Sequence, residues 1–189
     1  EDLYKVKLGL LVSSTSGALL DNVAKRYGLD ASKIKTVNLA PPEAMAAMAS
    51  NEIQGMVFWE PFPYRAVKEQ GARIVHSGTT SYFAKNKGEA APVSNNRTIW
   101  VASQDWVRKN PNAANALVKV LLKAQAYVAD PANKAEVIKI FSDVQKQPAE
   151  MNEALLADYS FNSKVDQAYV DDMAAIVGFL KATNRIPGQ

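Results

Sequence analysis

Four hydroxyl residues in a row, Ser13, Ser14, Thr15 and Ser16, stand between an apolar run and a helical one, and Gly17 follows them. Hydroxyls and backbone N–H groups gathered at a helix N-terminus suit an anion, because the first-turn donors have no intrahelical partner and the helix dipole is positive there. Taken alone, capping outweighs ligand binding by about two to one, since every helix needs a cap and few bind ligands. A second candidate ends the apolar run of QGMVFWEPFP, residues 54–63. Gly55, Met56, Val57, Phe58 and Trp59 have the length and composition of a strand buried on both faces, and Glu60 lies at its carboxyl end. That edge of an open α/β sheet is where ligands bind. Glu60 has two roles of equal weight there, a ligand-facing carboxylate or a cap on the helix that Pro61 opens. Asn38 closes another apolar run at the same edge.

Other chemistries find little purchase. His76 is the only histidine and has no cysteine or HxxxH partner nearby, so a core or surface role outweighs metal ligation. Cysteine is absent, which excludes disulfides, thiolate metal sites and cysteine nucleophiles. No GxxxxGK is present, so the serine loop is not a nucleotide P-loop. A net charge of +3 carried on scattered lysines argues against a nucleic-acid partner. No cofactor and no metal is expected.

These residues need a scaffold, and the sequence supplies one. With 48% apolar and 22% charged residues, the 189-residue chain reads as an ordinary globular protein able to bury a core. Residues 6–12 (VKLGLLV), 34–39, the run ending at Glu60, and 72–76 (ARIVH) read as strands. Helices follow the first three, over 18–28, 43–52 and 61–71. Gly28 suits a helix C′ position, Pro41 and Pro42 open the helix of EAMAAMASNE, and its methionines suit the core. Alternating units of this kind predict a mainly parallel sheet with right-handed crossovers. Residues 77–96 have little periodicity and form a candidate hinge. Residues 97–103 (RTIWVAS) read as a fifth strand, and everything beyond is helical, with a strong apolar stripe in NAANALVKVLLKAQAYVAD. The expected division is an α/β ligand-binding lobe over 1–80, a hinge or crossover loop and return strand over 81–103, and a helical part over 104–189 that belongs to or packs against the other lobe.

The order of these pieces, SSTSG, VNLAPPEAMAAM, IQGMVFWEPFPYRA, GARIVHSG, NRTIWVASQDWVRKNPNAANALVKVLLKA and YSFNSKVDQAYVDDMAAIVGFLKATNRIP, resembles the solute-binding proteins of bacterial ABC importers for nitrate, alkanesulfonates, taurine and thiamine precursors. The resemblance covers essentially the whole chain. It implies a type II periplasmic-binding-protein-like α/β fold that closes around a small anionic or zwitterionic solute and hands it to an importer permease, without catalysis. The implied location is periplasmic or otherwise extracytoplasmic, with no signal peptide visible in the sequence. By position, Ser13 to Gly17 supply donors to the ligand's anionic group, Glu60 faces an amino group as in taurine-type members, and Trp59 and Asn38 line the same wall. Arg97 to Trp100 become the return strand of the hinge, with Tyr159 and Phe161 approaching from the other lobe.

Members of that family begin with a further segment, a large part of the first lobe, ahead of the strand that matches 6–12. Its absence here leads to the expectation of exposed apolar surface and of association with another copy or a second chain. Two alternatives stand beside the importer reading. One is an enzyme of the same fold, such as a pyrimidine synthase or a desulfinase, against which the absent cysteine and the lone His76 argue. The other is the effector-binding domain of a transcription regulator, which the helical C-terminal half fits less well.

Overall fold

The computed structural model describes residues 2–12, 14–95, 97–184 and 186. They fall into two compact units, Glu1–Asn96 with Gln167–Gln189, and Arg97–Asp166. The first contains a three-stranded parallel sheet of β1 (Lys7–Leu10), β2 (Lys35–Asn38) and β3 (Gly55–Val57), in the order β2-β1-β3. Helices α1 (Thr15–Arg26), α2 (Pro41–Ala49) and α3 (Phe62–Gln70) follow β1, β2 and β3 in turn. Right-handed crossovers to opposite sides of a central β1 require α1 and α2 to lie on opposite faces. The core divides accordingly. Leu8 and Val57 pack with Ala24 of α1, whereas Val37 and Met56 pack with Ala44 and Ala47 of α2. The register Gly9↔Val37 and Gly9↔Met56 puts Gly9 on the α2 face. A methyl group there would stand 2.7 Å from Ile53 Cδ1, so the glycine lets α2 and its following turn lie close to the sheet.

Local sequence explains the element ends. Gly28 adopts φ +64, its N–H donates to the Lys25 carbonyl, and the Leu29 N–H donates to the Ala24 carbonyl, closing α1 in a Schellman motif. Pro41 and Pro42 open α2, and the Glu43 carboxylate accepts the Ala40 N–H at 2.9 Å. The Glu60–Pro61 peptide is cis.

Two expected strands are absent from the described residues. Residues 72–76 form no fourth parallel strand, and only His76 makes an isolated bridge, to Ser81. The Ser77 Oγ accepts N–H groups from Thr79 and Thr80, and this local turn competes with extension of a sheet whose β3 is three residues long. The segment after it folds onto α1 instead: Ser81 and Ala91 are buried, and Asn22 Nδ2 donates to the Val93 carbonyl at 2.8 Å. Residues 97–103 likewise pair with no strand, and Trp100 and Val101 are 80% and 84% exposed. Their β-branched and aromatic content fits a pleated surface but does not provide the neighbour a ladder requires.

The second unit holds α4 (Gln104–Lys109), α5 (Pro111–Ala129), α6 (Lys134–Gln145) and α7 (Ala149–Asp158). Its buried residues are few: Val137, Met151, Leu155, and Asn152, whose Nδ2 donates to Ser142 Oγ at 3.0 Å. No residue of α5 is buried, and Leu117, Val118, Val120 and Leu122 are all exposed. The apolar stripe read from the sequence thus exists as a helix face without cover among the described residues. The unit boundaries differ from the divisions expected at 80 and 103. Helix α8 (Gln167–Ala182) groups with the sheet, and the other helices beyond 104 do not. No helix of the described residues is long and apolar enough to cross a membrane.

Candidate functional site

Parallel pairing brings the carboxyl ends of all three strands to one edge, since Leu10 pairs with both Asn38 and Val57. After β1 the chain turns to α1 on one face, and after β3 to α3, which packs with α2 on the other. In such sheets ligands bind where the strand order reverses. Here the chain leaves β1 for β2 and returns to β3 on the other side of β1, so the reversal lies between β1 and β3, with Ser14, Thr15 and Ser16 following the first strand and Trp59 and Glu60 the second. Ser13 lies outside the described residues.

Ser14 is held by its neighbours. Ser14 is the N-cap of α1, with extended backbone, and its Oγ accepts the Ser16 N–H at 3.2 Å. The same hydroxyl donates to the Leu11 carbonyl at 2.7 Å. A serine hydroxyl carries one hydrogen, so Ser14 in this arrangement can accept but has no second hydrogen to give a ligand. Ser16 is buried, while Thr15 is partly exposed in the first turn.

Asn38 is placed differently from a cleft-lining residue. It ends β2, on the far side of β1 from β3, and its Oδ1 accepts the Val12 N–H at 3.0 Å. The side chain therefore ties β2 to the loop that leads into α1. Sequence reasoning found the residue but not this attachment, because nothing in NLAPP indicates a partner 26 positions away.

Glu60 is half-buried, and its Oε2 accepts the Tyr64 N–H of α3 at 2.9 Å. The capping role is realised in this structure, with the carboxylate set at the positive end of a helix. Trp59 is 38% exposed and meets Phe58 edge-on, with ring centroids 5.8 Å apart.

His76 belongs elsewhere. It packs edge-on against Tyr27 and near Phe83, at centroid distances of 5.9 and 6.1 Å, and its Nδ1 is bonded to the Ser77 carbonyl. Burial pushes the Tyr27 phenol up, but hydrogen bonds from Ser81, Asn86 and Arg26 outweigh it and leave the group below the ordinary tyrosine value. Among the described residues no group of three or more His, Cys, Asp or Glu side chains could hold a metal ion.

Phe179 of α8 was not foreseen. A methyl group on Gly17, in the first turn of α1, would stand 3.3 Å from Phe179 Cζ and 3.2 Å from the Val12 carbonyl oxygen. A glycine directly after the hydroxyl run hinted at a close approach, although nothing in the sequence indicated what approaches.

Known proteins are similar to this chain in sequence and fold. The chain is 27% identical over 132 residues to the taurine-binding periplasmic protein of Escherichia coli (strain K12), an alignment covering 69% of this chain and 38% of that protein. It is 33% identical over 104 residues to the nitrate/nitrite binding protein NrtA of a Nostoc species, covering 54% of this chain and 21% of that one. The chain thus spans well under half the length of these relatives. The crystal structure of the periplasmic aliphatic sulphonate binding protein SsuA from Escherichia coli superposes with a TM-score of 0.73 at 19% identity, covering 99% of this chain and 60% of the other. The α/β fold expected from the sequence is therefore the fold of SsuA. A family model matches residues 5–142, and this chain belongs to the NMT1-like family.

Proposed function

We propose that this chain forms part of a solute-binding protein that takes a small anionic or zwitterionic solute, such as a sulfonate, taurine or nitrate, and delivers it to the permease of an ABC importer on the periplasmic side. The observation that carries the reading is that groups of opposite polarity follow the carboxyl ends of two neighbouring parallel strands, β1 and β3. On one side stands the N-terminus of α1 with Thr15 and the capped loop, and on the other the Glu60 carboxylate. The first suits a sulfonate or similar anion, and the second suits an ammonium group. A taurine-binding relative and a nitrate-binding one lend support, since their ligands share a small anionic group and differ in the amine. The reading is of binding without catalysis, and His76, packed among aromatic rings away from this edge, takes no part in it.

Isothermal titration of taurine, ethanesulfonate and nitrate into the full chain tests the proposal. At least one anion should bind saturably at one site per chain, ethylamine should not, and Thr15→Trp should abolish the heat by filling the site. Silence with all three anions, or an unchanged dissociation constant in the Thr15 variant, would remove the site from this edge.

A further inference from the structure

We propose that α8 is a positioning element for the anion-binding loop, and that Phe179, seated against Gly17, sets where the first turn of α1 stands. The inference rests on the binding reading above for its functional meaning, but its physical content is independent of any ligand. Residues 97–166 separate α8 from the rest of its unit, yet it returns to the edge where the loop lies. Two contacts define the return. Asn95 Nδ2 donates to Asp172 Oδ2 at 3.1 Å, and the Phe179 ring stands so close to Gly17 that an added methyl group would be at 3.3 Å.

Val12 is the residue on which these constraints converge. Its N–H is held by Asn38, and its carbonyl oxygen lies on the same side of Gly17 as the Phe179 ring. Val12, Gly17 and Phe179 are all partly buried, and a methyl group on Gly17 would be closer to both neighbours than ordinary van der Waals contact allows, so one of them would have to give way. Gly17 is thus a seat for the ring as well as a helix residue: alanine would suit the helix better by propensity but would have to move Phe179 or the Val12 carbonyl. A shift of the ring moves the donors that would meet an anion. Residues outside the site thereby set its geometry.

The test uses the full chain with 15N labelling and four variants, Gly17→Ala, Phe179→Ala, Phe179→Leu and the Gly17→Ala/Phe179→Ala pair. In the ligand-free protein, Gly17→Ala and Phe179→Ala should each displace the amide resonances of Val12, Thr15 and Ser16 more than those of β2 or α2. Phe179→Leu should restore most of the parental positions, and the pair should lie nearer the parent than Gly17→Ala alone. Ethanesulfonate affinity should fall about three- to tenfold in Gly17→Ala and recover in part in the pair, a range expected for coupling between touching residues. Amide changes confined to the mutated residue's own neighbours, identical with and without Phe179, would overturn the inference. Phe179→Leu guards against an unfolded alanine variant, since it keeps the apolar contact. Should no variant, nor the parent, bind ethanesulfonate while the Val12 and Thr15 amides still respond to Phe179, the binding reading fails and the positioning contact stands.

Discussion

Replacing Glu60 with glutamine separates its two roles, because the amide keeps an oxygen for the Tyr64 N–H while losing the charge and exchanging the second acceptor oxygen for a donor. The cap at 2.9 Å is thus retained as a neutral hydrogen bond. What α3 forfeits is the charge–dipole component, about 0.3–1 kcal/mol for a carboxylate at a helix N-terminus. A bound ammonium group would lose a charge-assisted hydrogen bond, about 1.5–3 kcal/mol, which is roughly 10- to 150-fold in dissociation constant. The ligand effect therefore exceeds the fold effect, and the two can be read separately. Titration of taurine and of ethanesulfonate, which lacks the amine but keeps the carbon chain and sulfonate, should show that loss for taurine and little change for ethanesulfonate. Urea unfolding should show at most about 1 kcal/mol of destabilisation. It is best followed by Trp59 fluorescence with Trp100 and Trp106 replaced by phenylalanine, so that only the first unit reports. Equal losses for the two ligands would mean that Glu60 acts through the fold, and unchanged taurine binding would mean that it is a cap and nothing more.

Asn38→Ala removes the acceptor for the Val12 N–H and should cost about 0.5–1.5 kcal/mol in urea unfolding. Asn38→Asp keeps an acceptor but brings a negative charge near the loop, so it should be the more stable variant and the poorer ethanesulfonate binder; the reverse ranking would dismiss the tether. Gly9→Ala forces a methyl group against Ile53 Cδ1, and with Ile53 only 1% exposed the overpacking should cost about 1–3 kcal/mol. Ile53→Val removes that carbon at about 0.5–1.5 kcal/mol, and the double variant should be more stable than the sum of the two costs; strict additivity would show that the contact is relieved elsewhere. Hydrogen bonds from the Ser32 hydroxyl and N–H, and the charge of Lys33, hold the Asp30 carboxyl below the ordinary aspartate range, against a small opposing effect of burial. A depressed folded-state pKa contributes stability that is present above the unfolded pKa and lost as the pH falls through the folded one. Asp30→Asn should therefore flatten the acid limb of a stability–pH profile below about pH 4 and leave the profile near neutrality parallel to the parent's.

The parts of the fold legible in the sequence are those governed by local rules. Gly28 could be placed at a helix end because the Schellman geometry requires a left-handed residue there, and Pro41–Pro42 could be placed at a helix start because the first turn needs no donor. The opposite placement of α1 and α2 follows from crossover handedness only once the strand order β2-β1-β3 is known, which the sequence did not supply. Residues 72–76 and 97–103 were misread for a common reason: strand propensity is a property of the residues, whereas a strand exists only with a partner, and neither segment has a ladder. The α5 stripe shows the same limit for helices, because period 3.6 marks an apolar face without naming what covers it. Residue types and the alternation of strands and helices were enough to place Ser14, Thr15, Asn38, Trp59 and Glu60 at the carboxyl edge of the sheet. Their separate duties needed coordinates, since only the direction of a hydrogen bond distinguishes a tether from a donor to a ligand.

Those duties bear on how the edge could discriminate among solutes. Ser14 has given its one hydrogen to Leu11, and Asn38 has engaged Val12, so the hydrogen bonds that hold these described residues are made within the protein. The entropy of ordering them is then a cost of folding rather than of binding. A preordered anion site treats any small oxyanion of suitable size alike, because it offers backbone and hydroxyl donors in fixed positions to whatever negative group arrives. Selectivity must come from what the ligand carries beyond that group. On the proposed reading this is, on the β3 side, a choice between an ammonium, which would meet the Glu60 carboxylate, and an apolar or absent group, which would add nothing to it. The cap makes the second case tolerable: the Tyr64 N–H satisfies part of the carboxylate whether or not a ligand arrives. If the proposed site lies at this edge, it would accept both a bare anion and a zwitterion, with preference for the zwitterion set by one residue.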